Sequence, residues 1–121
     1  GLPVYIFTDA EPWGMHIAMV IISGSANAAH ITDLVTPKAK WAGVWATDIV
    51  RYRLPSDPLT EVDIKRLYEL KRDPRYGEEI WRREIDEFLR IRKKSEQEAF
   101  ARYGLTYIVD KYLPDKLREM G

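Results

Sequence analysis

Asp9 and Glu11 stand one residue apart, directly after the apolar run Val4-Tyr5-Ile6-Phe7. Carboxylate oxygens suit a hard divalent cation, and magnesium in particular takes only one or two protein carboxylates, completing its shell with water and substrate phosphate oxygens. Calcium asks for more protein ligands than such a pair supplies. The chemistry on offer is therefore charge neutralisation at a phosphate. Taken alone, an acid-x-acid pair fits a solvated turn equally well. The preceding apolar strand favours a site, because open α/β sheets bind ligands just beyond the carboxyl ends of their strands.

Few other side chains compete for this role. His16 falls one turn into the segment after the acids, and His30 lies further on. Neither has the second histidine or the spacing of a zinc centre, and a packing or surface role fits both. Trp13 and Gly14 open the same segment, where free helix N–H groups could receive a phosphate and glycine allows close approach; packing of Trp13 against the sheet or another domain is the rival reading. Lys38 and Lys40 flank a turn, and Arg51 and Arg53 follow; all four also fit ordinary surface charge. The run Arg92-Lys93-Lys94 reads as a solvated face.

These residues need elements to hold them. The run Val4 to Phe7 is rich in β-formers and predicts a strand covered on both faces of a parallel sheet. Thr8-Asp9-Ala10-Glu11-Pro12 ends it, and Trp13 to Ser23 predicts a helix capped by Gly24. Asn27–Ile31 and Trp41–Trp45 are two further strand candidates, which makes the first 50 or so residues a βαββ unit. Beyond Leu54 the pattern turns helical. Thr60 and Asp63 form a capping box opening a helix that Asp73-Pro74 stops. Ile80, Trp81, Ile85, Phe88 and Leu89 form a second helical stripe, which lapses over Arg92 to Glu98 and predicts a break or an exposed overhang before Ala99, Phe100 and Tyr103 resume. A last helical stretch runs through Tyr107, Ile108 and Tyr112 and, after Pro114, through Leu117. The fold class expected is α/β, a parallel sheet with helices followed by a mostly helical C-terminal half. Residues 1–53 form its α/β part and residues 54–121 its helical part, within one domain.

Composition sets the bounds. A chain of 121 residues with 45% hydrophobic side chains is ample for one packed core. The absence of cysteine removes disulfides and thiolate zinc sites, which fits a reducing, cytoplasmic interior. Nineteen basic side chains balance nineteen acidic ones, so a polyanion partner would have to be held locally. Residues 1–60 carry four basic and five acidic side chains, against fifteen and fourteen in the remainder, so the charge belongs mainly to helix surfaces. No apolar run reaches the length of about 20 residues that a membrane span needs. The start at Gly1-Leu2-Pro3, without an initiator methionine, reads as an excised fragment whose site has partners upstream.

The run from Val4 through Thr8-Asp9-Ala10-Glu11-Pro12-Trp13-Gly14 resembles the metal-binding strand and loop of the Toprim domain in the A subunit of archaeal DNA topoisomerase VI, a family that includes the meiotic double-strand-break protein. Ser23-Gly24-Ser25, Thr36-Pro37-Lys38-Ala39-Lys40-Trp41, Ala46-Thr47-Asp48-Ile49-Val50, Val62-Asp63-Ile64-Lys65-Arg66 and Tyr112-Leu113-Pro114 are similar to that family's sequence in the same order. The resemblance spans essentially the whole chain, as a single, partial Toprim-like (Rossmann-like) domain.

The resemblance implies the DNA-cleaving A subunit of a type IIB topoisomerase. Two A subunits cut both strands of double-stranded DNA, and ATP-binding B subunits drive passage of a second duplex. By position Asp9 and Glu11 match the paired acids that hold Mg2+ in the family, whose second member is usually aspartate. The longer side chain of Glu11 shifts its reach by about 1.5 Å, so ligation through water is an option there. The family's third acid and its nucleophilic tyrosine lie upstream and are absent, so the isolated fragment is expected to be inactive. None of the seven tyrosines is the nucleophile; Tyr5, Tyr107 and Tyr112 sit in apolar patterns and read as core. Trp13, Gly14, His16, Lys38 and Lys40 become DNA-contact candidates.

Two rival readings stand beside it. One is a haloacid-dehalogenase-like phosphatase, which would use the first acid as nucleophile but needs later strand-end Thr or Ser and Lys residues. The other is a dimerisation and scaffold module, with Trp45, Trp81 or Phe100 as interface candidates, although Trp41, Trp45 and Trp81 fit a core role as well.

Overall fold

The computed structural model describes residues 4–32, 39–96, 98 and 108–120. Strand β1 (Val4–Phe7) runs parallel to β2 (Ala39–Gly43), with Ile6 opposite Trp41 and a register shift that brings Phe7 opposite Gly43. Parallel strands need a long crossover, and helix α1 (Pro12–Thr32) lies within it. The α/β expectation therefore holds: a parallel sheet with helices, then a helical half.

Three local expectations do not hold. Gly24 does not end α1, which continues to Thr32. A Cβ at Gly24 would meet nothing within 4 Å, and the good helix formers Ala26, Ala28 and Ala29 carry the helix past its modest glycine cost. Asn27–Ile31 is consequently helix rather than strand, and the unit is βαβ. Nor is β1 covered on both faces: Ile6 is buried, but Val4 is 45% exposed. Among the described residues β1 pairs only with β2, so a continuous apolar run here reflects one neighbour rather than two.

Past β2 come the short helix α2 (Ala46–Arg51), strand β3 (Asp57–Pro58) and helix α3 (Glu61–Arg72). The start of α3 is the capping box expected from Thr60 and Asp63. The Thr60 hydroxyl accepts from the Asp63 N–H at 3.1 Å, and the Asp63 carboxylate accepts from the Thr60 N–H at 2.9 Å. Thr60→Ala should therefore cost about 1 kcal/mol in a denaturant melt. Asp73 ends α3 and caps a 3-10 turn (Pro74–Tyr76), as the Asp-Pro pair predicts.

Helix α4 (Glu79–Ile91) buries Trp81, Ile85 and Phe88 on one stripe and stops at Arg92, which adopts a left-handed backbone (φ 53°). The break expected after this stripe is present at Arg92. Strand β4 (Lys93–Lys94) pairs antiparallel with β3. A π-helical turn (Ile108–Tyr112) and helix α5 (Leu113–Met120) end the described chain.

The core lies where α1, β2, α2, α3 and α4 meet. Trp41 stacks on Trp81 with ring centroids 4.7 Å apart and donates from its indole nitrogen to the Thr8 hydroxyl at 3.2 Å. Trp45 and Trp81 are 6% and 4% exposed. They are core residues, which overturns their reading as interface candidates; Phe100 lies outside the described residues. Tyr112 is buried as expected and Tyr5 partly so, while Tyr107 is also outside.

Candidate functional site

The acidic loop is fastened on three sides. Beyond β1 the parallel pairing continues through Thr8, whose N–H donates to the Gly43 carbonyl (2.7 Å) and whose carbonyl accepts from the Val44 N–H (2.8 Å). On the second side α1 begins at Pro12, where proline suits the first helical position, and the Glu11 carbonyl accepts the helix's first bond from the Met15 N–H (3.2 Å). Gly14 makes this entry possible: a Cβ there would lie 2.2 Å from the Asp9 carbonyl oxygen.

The third fastening is an antiparallel bridge between Ala10 and Ser95. Ala10 donates to the Ser95 carbonyl at 2.7 Å and accepts from the Ser95 N–H at 2.9 Å. The Ser95 hydroxyl in turn donates to the Pro55 carbonyl at 2.8 Å. Ala10 is fully buried, while Asp9 and Glu11 on either side of it remain partly exposed.

An antiparallel bridge sets the neighbours of its two residues opposite each other. The bridge thus brings Lys94 and Glu96 alongside the Asp9–Glu11 pair. The charges agree: burial and then the Asp9 carboxylate push the Glu11 carboxyl above its ordinary range, Glu96 and Asp63 add to this, and Lys94 opposes it. The Lys94 ammonium donates to Asp63 at 2.9 Å, and this bond, with the Glu11 and Glu96 charges, raises its pKa against the opposing effect of burial. Lys94 is only 22% exposed, so within Arg92-Lys93-Lys94 the solvated-face reading fails at this one position.

The donor set is thus two carboxylates at the amino end of a 21-residue helix, where its dipole favours negative charge. Among the described residues no three His, Cys, Asp or Glu side chains come together as a cation cage. Two carboxylates fit a cation that draws its remaining ligands from water and phosphate, and do not suffice for one needing an all-protein shell.

The other sequence candidates scatter. The His16 Nδ1 lies 3.4 Å from the Tyr76 hydroxyl, with its ring 5.2 Å from that of Trp13, a packing arrangement between α1 and the 3-10 turn. Trp13 is half exposed beneath the Arg66 guanidinium. Lys40 reaches the Met120 carbonyl at 3.4 Å, at the far end of α5. Arg51 pairs with Glu119 of α5. Lys38 and the His30 side chain lie outside the described residues.

A second polar cluster joins Asp48 and Tyr112, from two segments that carry the family resemblance, to Lys116, a pairing that nothing in the sequence announces. Lys116, with no exposed surface, donates to both Asp48 carboxylate oxygens at 3.1 Å and sits 3.1 Å from the Trp45 ring centroid. Asp48 Oδ2 also accepts from the Tyr112 hydroxyl (2.8 Å) and the Trp45 N–H (2.9 Å). Burial lowers the Lys116 ammonium to about 8 although Asp48 acts to raise it. A Cβ at Gly43 would lie 2.2 Å from the Tyr112 hydroxyl, so the end of β2 admits Tyr112 because it carries no side chain. This cluster ties α5 to the β2–α2 connection that Thr8 borders.

Comparison with known proteins supplies the family. Residues 1–117 match the family model for the Toprim domain of Spo11 and the topoisomerase 6 A subunit. The A subunit of type 2 DNA topoisomerase 6 from Methanothermobacter thermautotrophicus is 59% identical over 118 residues, covering 97% of this chain and 33% of the relative. The proteins of the same name from Archaeoglobus fulgidus and Natronomonas pharaonis are 49% and 43% identical, with 34% and 33% of their lengths covered. The chain thus spans about a third of the curated relatives it matches. With its strand, acidic loop and helix in the order that the match covers, the chain belongs to the Toprim-domain family of Spo11 and the topoisomerase 6 A subunit.

Proposed function

We propose that this chain is the metal-binding part of the DNA-cleaving A subunit of a type IIB topoisomerase, with Asp9 and Glu11 as its Mg2+ ligands. The observation that carries the reading is the triply fastened acidic loop: β1, α1 and the Ala10–Ser95 bridge hold two neighbouring carboxylates at a strand's carboxyl end. Residues 1–53 supply this α/β site, and residues 54–121 supply the helical part that includes Ser95 and Lys94.

Asp9 and Glu11 would hold Mg2+, which would supply positive charge to the non-bridging oxygens of a DNA phosphate when an upstream tyrosine hydroxyl displaces the 3′-oxygen. The residues of this chain contribute position. Asp9 and Glu11 present their carboxylates from a loop that cannot slide, since Ala10 both donates to and accepts from Ser95. Rejoining runs the same displacement in reverse and needs the same held geometry. Double-stranded DNA, ATP-binding B subunits and a second copy of the A subunit complete the assembly, and strand passage depends on ATP in the B subunits. The archaeal cytoplasm, where chromosomal DNA lies, is the place of action in this reading. No helix among the described residues is long and apolar enough to cross a membrane.

A scaffold role accompanies the catalytic one. Trp13, Ile17, Val20 and Ile21 leave an exposed apolar stripe along α1, which supports its use as a packing face in the longer polypeptide or its dimer. Trp13, Gly14, His16, Lys38 and Lys40 stay candidates for DNA contact.

The test uses a full-length A subunit carrying this domain, mixed with its B subunit, ATP and supercoiled DNA. Double-strand cleavage should vanish with a chelator and return with excess Mg2+. Undiminished cleavage in chelator would refute the metal reading.

A further inference from the structure

The Glu11 carboxyl lies in the field of three other carboxylates and one ammonium. Asp9, Asp63 and Glu96 all act on its charge in one direction, and Lys94 acts in the other. The placement of Lys94 is imposed from several directions. The Ala10–Ser95 bridge fixes the residue beside it, β4 pairs with β3, and Asp63 holds the ammonium at 2.9 Å while itself bound to the Thr60 N–H at the start of α3.

We propose that Lys94 is a resident counter-cation of the Asp9–Glu11 pair, with which a divalent metal ion must compete, and that Asp63 is the tether holding it back from Glu11. The proposal rests on the reading of Asp9 and Glu11 as metal ligands. A positive charge beside Glu11 repels an incoming cation and lowers the affinity of a site to which this chain contributes two carboxylates. Such a site fills when phosphate oxygens add their charge and complete the coordination shell. Lys94 thereby makes metal loading depend on bound DNA, and keeps the cutting site weakly loaded without it.

The sign of the expected effect separates this from a structural role. A lysine that merely stabilised the fold would weaken metal binding when removed, whereas removal of a counter-cation tightens it. Mn2+ binding to the full-length protein without DNA, followed by electron paramagnetic resonance, provides the readout. Lys94→Met and Lys94→Gln should each tighten Mn2+ binding about three- to tenfold, after allowance for partial exposure. Lys94→Arg, which keeps the charge, should bind as the parent does. Asp63→Asn, which keeps an acceptor for the Thr60 N–H while releasing the ammonium towards Glu11, should weaken binding several-fold. Adding duplex DNA should narrow the gap between the parent and Lys94→Met. Unchanged or weaker Mn2+ binding in both Lys94→Met and Lys94→Gln would overturn the proposal. Asp9→Ala is the separate control: if it leaves Mn2+ binding intact, the acid pair is not the metal site and the underlying reading fails first.

Discussion

Asp9→Asn in a full-length A subunit should reduce DNA cleavage by at least about a thousandfold while leaving the melting temperature nearly unchanged. The loss follows from what the carboxylate does. Removing one preorganised electrostatic contributor to a transition state costs on the order of a hundred- to a thousandfold, and losing one of the protein ligands also empties much of the site. The fold survives because the loop is held by backbone: Thr8 by Gly43 and Val44, Ala10 by Ser95, and Glu11 by Met15. Glu11→Gln should cost less, about tenfold to a hundredfold, since its longer arm is compatible with ligation through water. Glu11→Asp should retain cleavage, because aspartate is the residue that the family resemblance implies here. The measurement is a single-turnover cleavage assay on linear duplex with a thermal melt alongside. Cleavage at parental rate in Asp9→Asn would sink the assignment.

Lys116→Met should destabilise the domain by about 3–5 kcal/mol, the range for breaking a buried pair from one side. The change strands Asp48, which is 1% exposed and would keep only the Tyr112 hydroxyl and the Trp45 N–H of its present partners. It also removes the ammonium from the face of Trp45. Asp48→Asn combined with Lys116→Met should cost clearly less than the sum of the two single changes, since no buried charge then stands alone. Equal and additive losses in a denaturant melt would show that the pair is not coupled.

The same lysine sets a pH dependence of determinate sign. Its folded pKa is lowered by burial to about 8 from the ordinary 10.5, so between these values the unfolded chain holds the proton more tightly. Stability then rises with pH across that window, and the protonated form carries the full burial cost below it. The window is cleanest from about pH 8 to 10. Above it Tyr112 and Tyr52, whose pKa values are raised chiefly by burial, reverse the trend. The difference between the parent and Lys116→Met should grow with pH in that window, by up to a few kcal/mol.

Legibility in the sequence tracked distance along the chain. Thr60 and Asp63 could be read as a cap because the interaction closes over three residues. The strand, its stop at Pro12 and the following helix could be read for the same reason. Gly24 misled, because a glycine ends a helix only where the chain after it has cause to turn, and an alanine-rich continuation has none. Trp45 and Trp81 fitted core and interface alike, and only the structure decided for the core. Apolar residues near gaps in a stripe look exposed, but a stack of Trp81 on Trp41 closes such a gap from a strand 40 residues away.

The sequence by itself determined that any cation here would be met by oxygen, since there is no cysteine and no paired histidine spacing, and that two carboxylates would stand where a strand gives way to a helix. Only the tertiary structure decided which charges surround them. Ser95 reaches Ala10 across 85 residues, carrying Lys94 and Glu96 to Glu11 and Asp9. Lys116 reaches Asp48 across 68. A strand pairing or a buried ion pair between distant segments leaves no periodicity at either end. Its partners are chosen by backbone hydrogen bonds and desolvation that arise only once the segments have packed.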